Sequence, residues 1–305
     1  MYDVIIIGGG PGGVAAGVYV ARKQLKALFL TGDFQSQSVV SAGIENWIGD
    51  ISTTGWEFGQ RLEKHLRAQE GLEIQTGIWV KSVTKNVDGT FNVGTEKEVF
   101  QTKTIIIASG GHHRHLEVPG EEKFEGKGVV YCSTCDAPFF REKKVVVVGG
   151  GNAGLEAVED LLPYAKEVIL FVRSEIKGDQ VTFEKIKSSP KVSIIYKVTV
   201  EEVLGDTVVE EVRYKNLETN EKQTLDCDGV FVEIGMVPNT DFVKDLVALN
   251  ERSEIMVDGK TAATNVPGIF ATGDATDLLY KQNNISAGYG VVAALSAYDY
   301  VRKGK

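Results

Sequence analysis

Cysteine, methionine and tryptophan each occur only three times in this 305-residue chain, and histidine four times. Three cysteines cannot build a disulfide framework, so a reducing compartment is expected, with any cysteine pair functional rather than structural. No apolar run approaches the roughly 20 residues that a membrane-spanning helix needs. Cations are in the minority: 33 Lys and Arg against 42 Asp and Glu give a formal net charge of -9. That balance argues against a nucleic-acid surface, which needs a basic stripe. Met1 leads directly into a strand-like run, so no signal peptide is expected. A soluble cytoplasmic protein, long enough for two domains, is the expectation.

Glycine is what the chain has in quantity, and two clusters of it follow strand-like runs. Tyr2–Ile7 is a continuous β-branched run of the kind buried in parallel sheets. Gly8, Gly10 and Gly13 then take the G-x-G-x-x-G spacing, with Pro11 between them and a helix predicted from Val14 to Arg22. The spacing serves a tight turn, a close approach to a pyrophosphate and close helix–strand packing, with the phosphates on the helix N-terminus. The same pattern returns after Lys143–Val148, where Gly149, Gly151 and Gly154 enclose Asn152 and Ala153. A helix from Leu155 to Leu162 follows, ended by Pro163. Two dinucleotide loops are therefore expected.

The strand after each loop bears on the ribose. Ala27–Leu30 runs into Thr31-Gly32-Asp33, which makes Asp33 a candidate for a ribose hydroxyl. Glu167–Val172 ends in Arg173-Ser174-Glu175, a single cation opposed by an acid, which favours NADH over NADPH. Between these landmarks the pattern predicts a polar loop from Gln35 to Gly49 and an amphipathic helix over Trp56–Gln69. A β-meander is predicted from Leu72 to Thr104, followed by a buried strand from Thr104. His112, His113 and His115 lie beside Pro119-Gly120, and their spacing reads as a polar connector; no metal is expected. A second connector is predicted around Gly235–Thr240, and strands again from Val192 to Val232. Cys227 stands alone beside a strand and reads as packing. Val291, Leu295, Tyr298 and Val301 predict a packed terminal helix over 286–302.

The remaining two cysteines form Cys132-Ser133-Thr134-Cys135-Asp136, just ahead of the second glycine loop. A dithiol between two dinucleotide loops suggests a flavin, a nicotinamide and a disulfide in electronic contact. The loop a Cys132–Cys135 bridge closes is too small to stabilise much, and no second pair at ligand spacing offers a zinc site.

Together these pieces resemble the low-molecular-weight thioredoxin reductase family. The residues carrying the likeness are Gly8–Gly13, Glu45-Asn46-Trp47, Cys132–Asp136, Gly149–Ala153, Gly273-Asp274 and Tyr280-Lys281-Gln282. A second likeness, through Gly178–Val181, Tyr280–Gln282 and Leu295–Tyr300, is to the reductase part of the alkyl hydroperoxide reductase flavoprotein subunit, which favours NADH. The resemblance implies an α/β fold of two Rossmann-like three-layer (ββα) dinucleotide-binding domains, the second inserted into the first. An FAD domain at 1–111 and 243–305 would surround a nicotinamide domain at 112–242 that carries the dithiol.

FAD contacts are then expected from Gly8, Gly10, Pro11, Gly13, Gln37, Asn46, Gly273, Asp274, Lys281 and Gln282. Nicotinamide contacts are expected from Gly149, Gly151, Asn152, Ala153, Gly154 and Arg173. The likeness further implies a homodimer, an inserted domain that rotates between two states, Cys135 facing the flavin and Cys132 attacking the partner's disulfide. Asp136 is the expected proton carrier, its alternative being a helix cap. Ser174 and Gly178 stand where NADPH-users carry basic residues. NADH is therefore the expected donor, with NADPH or reduced ferredoxin as alternatives. The expected acceptor is a separate thioredoxin-like or glutaredoxin-like protein, or a peroxiredoxin system. A dithiol sensor without turnover is the competing class.

Overall fold

A computed structural model describes residues 1–34, 36–41 and 43–304; Gln35, within the predicted polar loop, lies outside the described residues. The chain divides into two compact units: 1–39, 47–112 and 237–305 form the first, and 40–46 with 113–236 the second.

In the first unit, β1 (Tyr2–Ile7), α1 (Pro11–Arg22), β2 (Ala27–Thr31), α2 (Gly55–Arg67) and β3 (Leu72–Thr76) are followed by β4 (Val80–Lys85), β5 (Phe91–Thr95) and β6 (Val99–Ile107). The unit closes with β17 (Ile269–Ala271) and α6 (Asn283–Lys303). The sheet order is β3-β2-β1-β6-β5-β4, with β17 also on β6. Leu72–Thr76 pairs parallel with β2, so the antiparallel meander starts only at Val80. A single strand runs from Val99 through Ile107: its first half pairs antiparallel with β5 and its second half parallel with β1.

The strand period of two explains the three layers. Ile5, Ile7, Leu28 and Leu30 face one side, with Phe91, Val93 and Ile255. Val4, Ile6 and Phe29 face the other, with the apolar residues of α1 and α6. α2 starts on a capping box, Thr54 Oγ1 accepting from the Glu57 N–H while the Glu57 carboxylate accepts from the Thr54 N–H. The buried face of α6 is not the predicted row of Val291, Leu295, Tyr298 and Val301. It is Ser286, Gly290, Ala293, Ala294 and Ala297. Close approach to α1 is the cause, since a Cβ on Gly290 would stand 2.1 Å from the Gly12 carbonyl oxygen.

The second unit repeats the plan. It contains β8 (Val129–Val130), a short helix α3 (Ser133–Asp136), β9 (Lys144–Val148), α4 (Asn152–Leu161), β10 (Glu167–Val172), α5 (Gln180–Lys187) and β11 (Val192–Tyr196). Then come β12 (Val198–Leu204), β13 (Glu211–Asn216), β14 (Lys222–Asp226) and β15 (Gly229–Val232). The parallel sheet runs β11-β10-β9-β15-β8, and β12-β13-β14 form a separate antiparallel sheet. Val145, Val147 and Leu170 pack toward α4, whereas Val146, Ile169 and Phe171 pack toward the three-stranded sheet. The chain passes between the units twice, through β7 (Gly111–His113) and β16 (Met236–Pro238), and these pair as a two-stranded ribbon. Arg114 N–H donates to Gly235 O and Asn239 N–H to Gly110 O, each at 2.9 Å.

Candidate active site

The first glycine loop joins β1 to α1. Gly8 has φ +114°, and a Cβ there would lie 2.1 Å from the Ala108 carbonyl oxygen; a Cβ on Gly13 would lie 1.9 Å from Gly8 O. Those glycines are demanded by backbone conformation and packing. Gly10 is not. Its φ of -75° and ψ of -179° suit any residue, and an added Cβ would meet only the Ser36 Cβ, at 3.8 Å. Nothing in the fold asks for glycine there, whereas a phosphate approaching the α1 N-terminus does. Ser36 Oγ is enclosed beside it without a hydrogen-bond partner among the described residues. An enclosed hydroxyl next to a bare helix start fits a dinucleotide pyrophosphate. Pro11 occupies the first turn of α1, where its missing N–H costs nothing.

Around this loop the structure gathers several predicted residues. Gln37 Nε2 donates to Asp274 Oδ2 at 3.1 Å, across most of the sequence. Asp274 lies in the Gly273–Ala275 turn; burial pushes its carboxyl above the usual range, while Lys281, Gln37 and Ser286 pull it back. Lys281 pairs with Glu254 at 2.9 Å and also donates to the Thr276 carbonyl. Gln282 sits at the cap position of α6. Asp33 is exposed, with its carbonyl accepting from the Thr31 hydroxyl. Asn46 is exposed, and its segment groups with the second unit.

The second loop has the same construction. Gly149 has φ +145°, with an added Cβ 2.2 Å from Glu233 O, and a Cβ on Gly154 would lie 2.0 Å from Gly149 O. Gly151 (φ -92°, ψ -175°) again needs no glycine conformation, and an added Cβ would meet nothing within 4 Å. Asn152 Oδ1 accepts from the Asp179 N–H at 2.7 Å, and Ala153 and Arg173 are exposed. Gly178 is packed tight: a Cβ would stand 2.5 Å from Leu155 Cδ1 and 3.0 Å from the Gly151 carbonyl carbon. A side chain there would have to move the Leu155 side chain and press against the Gly151 backbone.

In the same unit Cys132 and Cys135 are joined as a disulfide, with Cα atoms 5.3 Å apart. Cys132 is the extended residue that precedes α3. α3 rests on α4: Ser133 Oγ and Thr134 Oγ1 both donate to Asp160 Oδ2, at 2.8 and 3.1 Å. Asp136 is buried, and burial pushes its carboxyl up to about 7. It makes no side-chain cap hydrogen bond to the turn at Ala137–Phe140, so the capping alternative has no contact behind it.

Just before the dithiol, the Tyr131 hydroxyl donates to Glu121 Oε1 at 2.9 Å, and Glu121 also accepts the backbone N–H groups of Leu116 and Glu117. His115 Nδ1 lies 2.9 Å from the Tyr131 hydroxyl, and His112 Nδ1 lies 3.0 Å from Asn239 Oδ1. Among the described residues, no group of three or more His, Cys, Asp or Glu could hold a metal ion. Cys227 lies in the core of this unit, its thiol pushed up to about 12, chiefly by burial.

Four residues with enclosed or converging polar groups do not stand out in the sequence: Ser36, Glu121, Asp160 and Glu233. For Glu233 a signal exists, since one carboxylate closes the wholly apolar run Val230-Phe231-Val232. The other three acquire meaning only through neighbours remote in sequence.

Two glycine-loop domains with a disulfide in the second define a class, and comparison with known families agrees with it. Residues 2–291 match the pyridine nucleotide-disulphide oxidoreductase family, and the chain belongs to it. It is 44% identical over 302 residues to the F subunit of alkyl hydroperoxide reductase from Staphylococcus epidermidis, and equally to that of Staphylococcus aureus. That match covers 98% of this chain but 59% of each relative, so the chain spans about three fifths of their length. Among solved structures it is similar to the thioredoxin reductases of Streptococcus pyogenes (TM-score 0.93, 32% identity, 99% of both chains) and Giardia duodenalis (0.92, 31%, 99% of both). The fold is that of these reductases, with two dinucleotide-binding domains. No helix among the described residues is long and apolar enough to cross a membrane.

Proposed function

We propose that this chain is an FAD-dependent disulfide reductase that passes electrons from NADH, through the Cys132–Cys135 pair, to a thioredoxin-like or glutaredoxin-like protein or a peroxiredoxin system. The observation that carries the reading is the disulfide itself. It stands at the start of a short helix with a buried carboxyl, Asp136, directly after its second cysteine.

The first unit is proposed to hold FAD through Gly8, Gly10, Pro11, Gly13, Ser36 and the Gln37–Asp274–Lys281 group. The second would hold the nicotinamide dinucleotide at Gly149–Gly154. Bound together, the two cofactors supply hydride and two-electron chemistry that no side chain here provides. Gly178 supports NADH over NADPH, because it offers no cation to meet a 2'-phosphate and its packing favours a residue without a side chain.

Two electrons open the disulfide and leave two sulfur anions. Cys135 is the proposed first acceptor. Asp136, held near neutrality, can give the proton that quenches one sulfur. Cys132, left as thiolate, attacks the partner's disulfide, and Cys135 resolves the mixed disulfide. A homodimer in the cytoplasm completes the proposal.

Anaerobic addition of NADH, and then of NADPH, to the purified flavoprotein separates the donors. Rapid bleaching by NADH alone is expected. Bleaching only by reduced ferredoxin would overturn the donor assignment. Reduction of a thioredoxin-like substrate should disappear in Cys132→Ser; survival of that turnover would overturn the dithiol route.

A further inference from the structure

The two glycine loops are built alike, and the difference between them isolates one residue. Gly8 lies against the carbonyl of Ala108, at the end of β6; Gly149 lies against the carbonyl of Glu233, at the end of β15. The construction needs only a backbone oxygen at that place, which alanine supplies in the first unit. The carboxylate in the second unit is therefore not a requirement of the fold.

Its surroundings are those of the dithiol. β15 pairs parallel with β8, Phe231 opposite Val130, so the two strands lead side by side into Glu233 and Cys132. The backbone N–H of Ser133, the residue between Cys132 and Thr134, favours the charged form of the Glu233 carboxylate. Its Oε1 is enclosed and has no hydrogen-bond partner among the described residues. The charged groups acting on it are Asp136 from α3 and Glu156 and Asp160 from α4, every one an acid. A half-buried carboxylate with one oxygen enclosed, set among other carboxylates, is costly to ionise. Burial first, then these neighbours, push Glu233 up to about 8, against the pull of the Ser133 N–H.

We infer that Glu233 is a positioning residue that couples the charge state of the dithiol to a proton, binding one when the disulfide opens. The inference rests on the dithiol reading above. Two electrons from the reductant break the Cys132–Cys135 bond and leave two sulfur anions. One sulfur takes a proton through Asp136, which is reloaded from solvent. The other sulfur stays anionic, and above about pH 8, where Glu233 is ionised beside the closed disulfide, its charge drives a second solvent proton onto Glu233. The partner then meets a single thiolate with no uncompensated charge behind it. When Cys132 and Cys135 close again, both protons leave.

The test is the pH dependence of the Cys132–Cys135 potential in the full flavin-loaded chain. Wild type, Glu233→Gln and Glu233→Asp would be equilibrated in thiol–disulfide buffers, with reacted thiols counted by alkylation and mass. Each proton taken up with two electrons moves the potential by about 30 mV per pH unit. Below about pH 7 all three proteins should fall alike, by about 59 mV per unit, because both thiols are then protonated and Glu233 is already neutral. Above about pH 8 the glutamine variant should flatten toward about 30 mV per unit, while wild type and Glu233→Asp stay steeper.

Slopes that superimpose for wild type and Glu233→Gln overturn the inference. So does a wild-type curve that already flattens fully above pH 8, which is informative even should the glutamine variant fail to fold. A pair that never opens overturns the dithiol reading and this inference with it. A pair that opens with superimposed slopes overturns this inference alone.

Discussion

Replacing Asp136 with asparagine should stabilise the oxidised protein and slow it at once, and the two effects come from the same number. The carboxyl is buried at 8% exposure and held near 7 against 3.8 for a free aspartate. A displacement of that size corresponds to about 4 kcal/mol, a ceiling that relaxation around the site reduces. The sign follows from proton binding. Between those values the native state keeps a proton that the unfolded chain has released, so this group's contribution falls as pH rises from about 4 to about 7. Above 7 the loss is complete. Asparagine cannot ionise and escapes it.

The advantage of Asp136→Asn should be small near pH 5 and grow by about 2 to 3 kcal/mol by pH 8, or roughly 5–10 °C in the midpoint of thermal unfolding. The assay is thermal unfolding of oxidised wild type and variant, flavin-loaded, at both pH values. Opening of the disulfide should meanwhile slow by about 10²- to 10⁴-fold, the usual worth of a placed proton donor. An advantage that does not change with pH would refute the claim that Asp136 is a high-pKa acid, whatever happens to the rate.

Three further outcomes concern the first unit, and a fourth the second. Gly8→Ala should disrupt the first unit, because the new Cβ would lie 2.1 Å from Ala108 O at φ +114°; loss of cooperative thermal unfolding would show it. Gly10→Ala, facing open space, should keep its thermal unfolding midpoint without flavin yet lose flavin affinity on titration. Thr54→Ala removes one half of the α2 capping box and should cost about 1 kcal/mol in unfolding experiments, with flavin content unchanged. Cys227→Ala should cost about 1 kcal/mol through a small cavity, while the reduced protein still yields two rapidly alkylated thiols.

How much of this is legible in the sequence depends on whether the deciding contact is local. β1 and β9 announce themselves because a strand buried on both faces is a β-branched run, and the glycine spacing after each fixes the turn into a helix. The adjacency of Cys132, Cys135 and Asp136 is likewise local. The buried face of α6 escapes because hydrophobic periodicity selects bulky side chains, whereas its contact with α1 is set by small ones that let two backbones meet. Leu72–Thr76 passes for part of the meander because short polar-alternating strands look alike whether they pair parallel or antiparallel. Ser36 is silent in sequence, and Glu233 nearly so, for a different reason. Their significance is an oxygen without a partner among the described residues, and that depends on every neighbour the fold brings.

The ribbon of β7 and β16 has a consequence for how this protein can change. The main stretch of the second unit runs from residue 113 to residue 236, with 40–46 as its other piece, and Arg114 and Gly235 are joined by one hydrogen bond. From the standpoint of the outer unit, everything between is a loop whose ends already touch. The entropy of closing such a loop grows only logarithmically, by about 0.6 kcal/mol for each doubling of its length. Insertions, deletions or wholesale replacement between those two points should leave the outer unit's folding nearly untouched outside residues 40–46, which group with the second unit. The chain is thus a host with a cassette port, and the cassette is the part that carries the disulfide.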